Sequence, residues 1–281
     1  MSVVSSPCNF CSFDVPVSSD RCPHCARPSL FPNVTLAGAR AQTDALDARF
    51  SVVSGLVGQI SLVLQRFLEE VNYKSEAVIA RPAAEVFRLA TSDRELYANF
   101  YGLIDAGTRL PNGGHWDSVR ETVDSKFFPY FKEHIRFGAL TLNGKGLANY
   151  GDCFILLRDD MVGHRSTVFE ENTINFCEKK NIALLDGIPI GHTATWLRRG
   201  QLAATKLWSK LHGEMIPLDF QRVLMSPATT SADDDFIEVH IYGSISIRSV
   251  SSVSIDRNKS SVKIRALREK LTKQRIQVNE H

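Results

Sequence analysis

The sequence of 281 residues predicts an α+β protein built from three parts in order along the chain. Four closely spaced cysteines predict a small metal-binding module in residues 1–30. An apolar repeat with helical spacing predicts a helical segment over residues 31–130. Strand-like alternation of apolar residues then predicts a β-rich domain with inserted helices over residues 131–281.

The composition is that of an ordinary globular chain, with 43% hydrophobic and 23% charged residues. The formal net charge of +2 is unevenly distributed, because residues 256–281 carry eight Lys/Arg against three Asp/Glu. That segment has a net charge of +5 and leaves −3 on the rest of the chain. A basic end is compatible with an anionic polymer or an acidic partner, and equally with a solvated terminal helix.

The N-terminal sequence MSVVSSPCNFC shows no charged leader followed by a long apolar run, as a secretory signal would. The longest run without a charged residue, Phe50 to Gln65, has 16 residues and contains Ser, Gly and Gln. A spanning helix needs about 20 apolar residues. We therefore expect a cytoplasmic protein without a membrane segment.

The cysteines form the most specific motif in the chain. Cys8, Cys11, Cys22 and Cys25 follow the pattern C-x2-C-x10-C-x2-C. Each C-x2-C pair can turn through a tight knuckle that presents two thiolates to one ion, and two knuckles complete a tetrahedral site. We expect a zinc ribbon with a structural role, because four protein ligands leave no open position for a substrate. Disulfides are the alternative, which an intracellular location disfavours.

A heptad-like apolar stripe follows the cysteine module, with spacings of 7, 4, 3, 4, 3 and 4 residues. It consists of Leu46, Val53, Val57, Ile60, Leu64, Phe67 and Val71. The stripe predicts one helix of about 30 residues, about 45 Å long. Such a helix can pack on the core, dimerise or receive a partner. Further helices joined by loops are predicted over residues 75–130.

From Ile135 the apolar period changes towards two. IRFGALTL alternates before an NGKG turn, YGDCFILL is a nearly continuous apolar run, and HRSTVF resumes a strand pattern. Farther along, TATWLRRGQLAATKLWSKL predicts a helix and IPLDFQRVLM a strand. FIEVHIYGSISI and VSSVSID predict two more strands, and KSSVKIRALREKLTKQRIQ predicts a basic terminal helix.

Three polar features of these strands are compatible with one nucleotide-handling cleft. Arg136, in the first strand, offers a fork for diphosphate oxygens. Ser166 and Thr167, in a later strand, offer hydroxyls for sugar or phosphate contacts. Glu238 interrupts an apolar stretch, where an unpaired carboxylate is costly. Its other interpretation is an ion-pair partner on an exposed face.

The chain combines a first strand with an Arg, a later strand with Ser-Thr and a late strand with a Glu. This combination resembles the ADP-ribosyltransferase superfamily of bacterial toxins. A bacterial group with that fold carries the patterns YGAL, FGS, R-x-TF and IEAQxHG. Four segments of this chain resemble them, namely RFGAL, YGDCFILL, HRSTVF and FIEVHIYG. The resemblance covers residues 134–256. It implies an ADP-ribosyltransferase-like split β-sandwich that binds NAD in its central cleft.

The resemblance also implies roles for individual residues. Arg136, beside Gly138, would hold the NAD phosphates, and Ser166 and Thr167 would support the nicotinamide ribose. Glu238 would stabilise the positive charge that forms as nicotinamide departs. We add Tyr150 as a stacking face for nicotinamide.

The sequence departs from the Arg-Ser-Glu toxin pattern at two positions. Phe236 stands where such toxins carry a Glu or Gln, and Val168 is the third residue of the Ser-Thr-Ser motif. In such toxins the residue at the position of Phe236 orients the target nucleophile. Here another residue would have to do so, and Asp234, Asp235 and His240 are the candidates. A second assignment within the same family uses His134 and Tyr150 with Glu238.

The resemblance implies an NAD-dependent mono-ADP-ribosyltransferase of the glycosyltransferase class. It would act as a toxin or antiviral defence effector on an intracellular nucleic acid or protein. An antitoxin or chaperone partner is then a further expectation. The alternative is a non-enzymatic zinc-ribbon protein that binds nucleic acid through the cysteine module and residues 259–275. A metal-dependent hydrolase is disfavoured, because the eight histidines are scattered and no H-x-x-x-H motif occurs.

Overall fold

The structure is a computed structural model that describes residues 5–8, 11, 13–16, 19, 21–26, 31–105, 115–183, 186–257 and 261–280. Twelve strands lie in these ranges. They are β1 (Ser5–Pro7), β2 (Asp14–Pro16), β3 (Glu76–Arg81), β4 (Ile135–Thr141), β5 (Cys153–Leu157), β6 (Ser166–Phe169), β7 (Thr193–Thr195), β8 (Met225–Ser226), β9 (Asp235–Phe236), β10 (Glu238–Tyr242), β11 (Val250–Ile255) and β12 (Gln277–Glu280).

Eleven α-helices lie in the same described ranges. They are α1 (Pro32–Ala37), α2 (Arg40–Leu56), α3 (Ser61–Lys74), α4 (Ala83–Leu89), α5 (Phe100–Asp105), α6 (His115–Phe127), α7 (Asp159–Val162), α8 (Thr173–Lys179), α9 (Arg199–Leu207), α10 (Phe220–Leu224) and α11 (Val262–Lys273).

Eight strands form one sheet in the order β12-β11-β5-β3-β4-β10-β6-β7. The neighbouring strands are antiparallel except for β11 and β12, which run parallel. β1 pairs with β2 in the cysteine module, and β8 pairs with β9 beside the large sheet. The sheet therefore combines strands from three widely separated parts of the chain.

One face of the sheet carries the main hydrophobic core. Alternate strand residues such as Ile79 and Val239 are buried there. They form one cluster with apolar residues of α2, α3, α9 and α11, from Leu46 to Leu271. This core therefore contains residues from both sides of position 130.

β3 and β4 share only a short ladder before they diverge. Glu76 to Val78 pair with Ala139 to Thr141, after which β3 continues along β5 and β4 lies along β10. The sheet is consequently split between these two strands. Gly138 lies at the point of divergence, where an added Cβ would be 2.8 Å from the Val78 carbonyl oxygen. A glycine is needed there because β3 approaches so closely.

The α+β class is confirmed, together with the predicted strands β4, β5, β6, β10 and β11 and the terminal helix α11. The ADP-ribosyltransferase-like sandwich is not confirmed. The eight strands are connected into one sheet, whereas a sandwich has two sheets packed face to face.

Three predictions of secondary structure are wrong. The single long helix is divided into α2 and a second helical stretch bent by 109° against it, because Gly58 adopts a φ of +42° at the break. In IPLDFQRVLM, Phe220–Leu224 form α10, since Phe220, Val223 and Leu224 are buried at helical spacing, and only the last residue lies in a strand. β3 lies in a region predicted to be helical, and its short apolar run is buried between β4 and β5.

Within the described ranges, no single helix has both the length and the apolar composition needed to cross a membrane. α2 and residues 58–74 meet these two criteria only when taken together as a bent pair. Apolar side chains of both members, including Val53 and Phe67, are buried in the main core.

Candidate functional site

A cavity of about 450 Å³ lies at the split in the sheet. Its walls come from β3, β4 and β10, from the segment around α5 and from the loop before β5. Single residues of α4, α6, α8 and β9 and the residue before Thr173 complete the lining. The aromatic residues in its lining are Tyr97, Phe100, Tyr101, Phe137, Tyr150 and Phe236. The charged residues in its lining are Arg81, Glu85, Arg120 and Glu238. Small-molecule sites commonly have this size and this largely apolar lining with a few polar groups.

Glu238 is a buried carboxylate in the wall of this cavity, with 4% of its surface exposed. The Asn172 side-chain amide and the Thr173 backbone N–H donate to its two oxygens at 3.2 and 3.1 Å. His240 Nε2 lies 3.0 Å from the same carboxylate and acts as the donor when Glu238 is ionised, because a carboxylate only accepts. The carboxylate is therefore fixed in position and compensated for its burial.

Local sequence explains how two of these donors reach Glu238. Asn172 is the N-cap of α8, and its side-chain oxygen accepts from the N–H groups of Ile174 and Asn175. The amide nitrogen of the same side chain is thereby turned towards β10. One side chain thus starts the helix and holds the carboxylate.

A second acid lies behind the cavity on α6. Asp124 is 1% exposed, and the Tyr101 hydroxyl donates to its Oδ2 at 2.9 Å. Its Oδ1 has no hydrogen-bond partner among the described residues. Burial raises the pKa of Asp124 to about 6, against the opposing effects of the Arg120 guanidinium and the Tyr101 hydrogen bond, while the charge on Glu238 raises it further. Two carboxylates are therefore coupled electrostatically on this side of the cavity.

Tyr150 lines the same cavity as Glu238. Its ring packs against Phe236 with the ring centroids 6.2 Å apart. Burial raises the pKa of the Tyr150 phenol, and the Glu238 carboxylate adds to this effect. The structure thus brings together Glu238, Tyr150 and Gly138, three of the residues singled out from the sequence.

Arg136 does not line the cavity. It is paired with Ile241, three residues from Glu238 on β10, and side chains alternate along a strand, so it points to the opposite face. Its Nη1 donates to the Glu133 carbonyl oxygen at 2.9 Å, and its buried Nε has no partner among the described residues. Burial raises the pKa of the Tyr97 phenol, and the charges of Arg81 and Arg136 oppose that effect. Arg136 is thus near the cavity wall but outside the lining.

Ser166 and Thr167 lie on β6 next to β10, and neither lines the cavity. Ser166 pairs with Ile241 and donates its hydroxyl to the Val162 carbonyl oxygen at 2.7 Å. Thr167 pairs with His240 and is fully buried. These hydroxyls therefore support the strand that carries Glu238 and are not presented to the cavity.

The remaining sequence candidates also lie outside the lining. Asp234 accepts from Asn149 and from a backbone N–H in the loop before β9. Asp235 forms salt bridges with Lys206 and Lys210. The exposed His134 ring lies beside Tyr242, with the centroids 5.6 Å apart. Of the substitutes for the missing acid, His240 alone contacts Glu238.

The two arginines that line the cavity were not predicted. Arg81 forms a 3.3 Å salt bridge with Glu85 and lies over the Tyr97 ring. The Arg120 guanidinium carbon lies 5.8 Å from the Phe100 ring centroid and 5.6 Å from that of Phe137. Both residues stand in stretches predicted to be helical, where an arginine is usually a solvated surface residue.

The N-terminal cysteines form a second candidate site. Their four sulfur atoms lie within 4.8 Å of one another. Cys8 Sγ is 3.7 Å from Cys25 Sγ, and Cys11 Sγ is 3.6 Å from Cys22 Sγ. A tetrahedral zinc ion with bonds of about 2.3 Å requires sulfur separations of about 3.8 Å, whereas a disulfide requires about 2.05 Å. The cluster is compatible with zinc, as the motif predicted.

The hairpin of β1 and β2 positions these sulfur atoms. Val15 is buried and packs against the cysteine cluster. The Cys8 backbone N–H donates to the Phe13 carbonyl oxygen at 2.8 Å, which closes the first knuckle. Phe13 is 45% exposed and stacks on the exposed His24 ring at 5.3 Å. The module therefore presents a small aromatic surface beside the cysteine cluster.

No protein-family model matches this chain. No curated protein matches it in sequence either. The functional assignment therefore depends on the residues and geometry described above.

Proposed function

We propose that the protein is an NAD-dependent ADP-ribosyltransferase that binds NAD in the cavity at the split sheet. The observation that carries this proposal is Glu238, a buried carboxylate held by three donors in the wall of a cavity of about 450 Å³. Cleavage of a glycosidic bond needs such a fixed carboxylate beside the developing positive charge. The aromatic lining supplies faces for the nicotinamide and adenine rings.

In the proposed reaction the bond between the nicotinamide nitrogen and C1′ of the ribose breaks, and its electron pair leaves with nicotinamide. Positive charge then builds on the ribose, and the Glu238 carboxylate stabilises it electrostatically. A nucleophile of the target forms the new bond to C1′ and releases its proton to solvent. His240, Asn172 and Thr173 hold Glu238 in place during this step.

The proposed target is an intracellular nucleic acid or protein, and the proposed role is that of a toxin or defence effector. Two observations fit a macromolecular target. The cysteine module presents the exposed Phe13 ring, and α11 carries the exposed basic residues Lys263 and Arg265. Aromatic and basic side chains together are typical of surfaces that bind nucleic acid.

The test is incubation of the full chain with NAD labelled in its adenosine part, with and without a cell extract. Wild-type protein is expected to release nicotinamide and to transfer label to a macromolecule. Glu238→Gln keeps the shape of the side chain but removes its charge, so nicotinamide release should fall about 100-fold or more. Glu178→Gln, at an exposed position on α8, is the matched control and should keep full activity.

Circular dichroism of both variants separates a loss of chemistry from a loss of folding. The proposal is wrong if the wild-type protein releases no nicotinamide with any extract. It is also wrong if a folded Glu238→Gln variant releases nicotinamide at the wild-type rate.

The second candidate function is non-enzymatic nucleic-acid binding through the cysteine module. The stacked pair of Phe13 and His24 favours it, because exposed rings can stack on unpaired bases. This candidate predicts salt-dependent binding of labelled single-stranded RNA or DNA without nicotinamide release. The two functions are therefore separated by the same NAD assay.

A further inference from the structure

Arg120 is a cation of the cavity whose hydrogen-bonding capacity is not used by the described part of the chain. It lines the cavity from α6 and is partly buried. No salt bridge or hydrogen bond joins it to a described residue. A guanidinium has five N–H donors in a rigid fork and no acceptor, so it can bind two acceptor atoms side by side. This arrangement suits a residue whose acceptor arrives with a ligand.

Two aromatic rings fix the position of the Arg120 side chain. Its guanidinium carbon lies over the rings of Phe100 and Phe137, at 5.8 and 5.6 Å from their centroids. Asp124, four residues along the same helix, interacts electrostatically with Arg120, but no hydrogen bond or salt bridge joins the two described side chains. Its Oδ2 accepts from Tyr101. The fork is therefore held in place and left open towards the cavity.

The other arginine of the cavity differs in this respect. Arg81 is already neutralised by Glu85 at 3.3 Å and also donates to the Ala80 carbonyl oxygen at 2.8 Å. Arg136, the phosphate anchor expected from the sequence, points to the opposite face of β4. Arg120 is thus the best placed of the three guanidinium groups to receive an anion in the cavity.

We propose that Arg120 binds the diphosphate of a nucleotide ligand in this cavity, in place of Arg136. A guanidinium fork matches two phosphate oxygens with two parallel hydrogen bonds. The aromatic residues beside it provide faces for the attached base. This inference rests on the proposed function in assigning the diphosphate to NAD, but the anion site itself can be tested without turnover.

The test uses calorimetric titration of the full chain with ADP and with adenosine. Arg120→Met keeps an unbranched side chain for packing against the two rings and removes the charge. It should weaken ADP binding about 10–100-fold, the effect of losing one or two charge-assisted hydrogen bonds, and leave adenosine binding unchanged. Arg120→Lys keeps the charge without the fork and should bind ADP with intermediate affinity.

Two further variants serve as comparisons. Arg94→Met, at an exposed position outside the cavity, should bind ADP as the wild-type protein does. Arg136→Met should also keep its ADP affinity, since that side chain points away from the cavity. The inference is overturned if wild-type protein binds no ADP. It is equally overturned if Arg120→Met binds ADP normally, or if Arg136→Met alone loses it.

The result also separates this inference from the proposed function. ADP binding that depends on Arg120, without nicotinamide release by wild-type protein, supports the anion site and contradicts the transferase. Nicotinamide release that persists in Arg120→Met, with unchanged affinity for NAD, supports the transferase and overturns the anion site.

Discussion

Replacing Asp124 with asparagine should stabilise the folded protein at neutral pH, and by less at acidic pH. Asp124 is buried with a single donor, the Tyr101 hydroxyl, and burial raises its pKa from 3.8 to about 6. The folded state therefore holds the proton of Asp124 more tightly than the unfolded chain does. At any pH at which Asp124 is ionised, its charge therefore lowers the stability of the folded state.

The magnitude follows from the pKa difference. A pKa raised from 3.8 to about 6 costs about 3 kcal/mol of folding free energy when the carboxyl is ionised in both states. Below pH 3.8 the carboxyl is protonated in both states and this cost vanishes. Between the two values the cost grows with pH, reaching about 1.6 kcal/mol at pH 5, and above pH 6 it is constant.

Asp124→Asn removes the charge and keeps an oxygen that can accept from Tyr101. The amide nitrogen would lie where the carboxylate Oδ1 has no partner, and this unpaired donor offsets part of the stability gained by removing the charge. We therefore expect the free energy of unfolding to rise by about 1–3 kcal/mol at pH 7.5. The gain should be about 1 kcal/mol smaller at pH 5. Urea unfolding of both proteins at these two pH values measures the difference.

Asp235→Asn is the control of opposite sign. Burial acts to raise the pKa of Asp235, but the charges and hydrogen bonds of Lys206 and Lys210 lower it overall. Its ionised form therefore stabilises the fold at every pH above 3.8, and the asparagine variant should lose the same stability at pH 5 and pH 7.5. The reasoning is refuted if Asp124→Asn is destabilising at pH 7.5, or if its effect is equal at both pH values.

Two further predictions concern the metal module and helix packing. Cys22→Ser should lose bound zinc, as measured by elemental analysis of the purified protein. Cys177→Ser, outside the cluster, should retain its zinc. Equal zinc content in both variants would contradict the proposed zinc site. Gly200→Ala on α9 should lose about 1–3 kcal/mol in urea unfolding, because the new Cβ would lie 2.3 Å from the Leu68 carbonyl oxygen on α3. Gly55→Ala, with no atom within 4 Å of its added Cβ, should gain up to about 1 kcal/mol instead, and stabilisation by both changes would contradict this packing.

Local patterns in the sequence were sufficient for the strands whose apolar residues alternate or run continuously. β4 and β5 are predicted in this way, and four of the five residues of β5 are buried, as its continuous apolar run requires. β3 was missed because EAVIAR is too short to distinguish a strand from a helix. Its place between β4 and β5 is set by pairing with residues more than 50 positions away.

The single glycine at position 58 shows a second limit of periodicity. The apolar stripe continues across it with helical spacing, so the sequence predicts one helix. The positive φ of Gly58 turns the chain, and residues on both sides of the bend, such as Val53 and Phe67, still reach the same core. A periodic stripe reports which residues are buried and not the direction of the helix axis.

Glu238 could be recognised because a carboxylate within an apolar strand is costly unless it is compensated. Its compensation by Asn172 and His240 was not visible, since the first of these lies 66 residues away. Arg136 is predicted as the phosphate anchor because an arginine in the first strand offers a fork for diphosphate oxygens. The side of a strand on which a residue points depends on the register with its neighbours, which is a tertiary property.

The sequence by itself determined the four-cysteine cluster and the acidic residue of the cavity. C-x2-C spacing brings two sulfur atoms together through local turns. A carboxylate within an apolar strand can be recognised from the sequence, because its burial costs free energy unless other groups compensate it. Only the tertiary structure decided which residues surround Glu238. The split between β3 and β4 forms from distant pairings, and it brings Arg120 and Tyr101 to a cavity that no local pattern encodes.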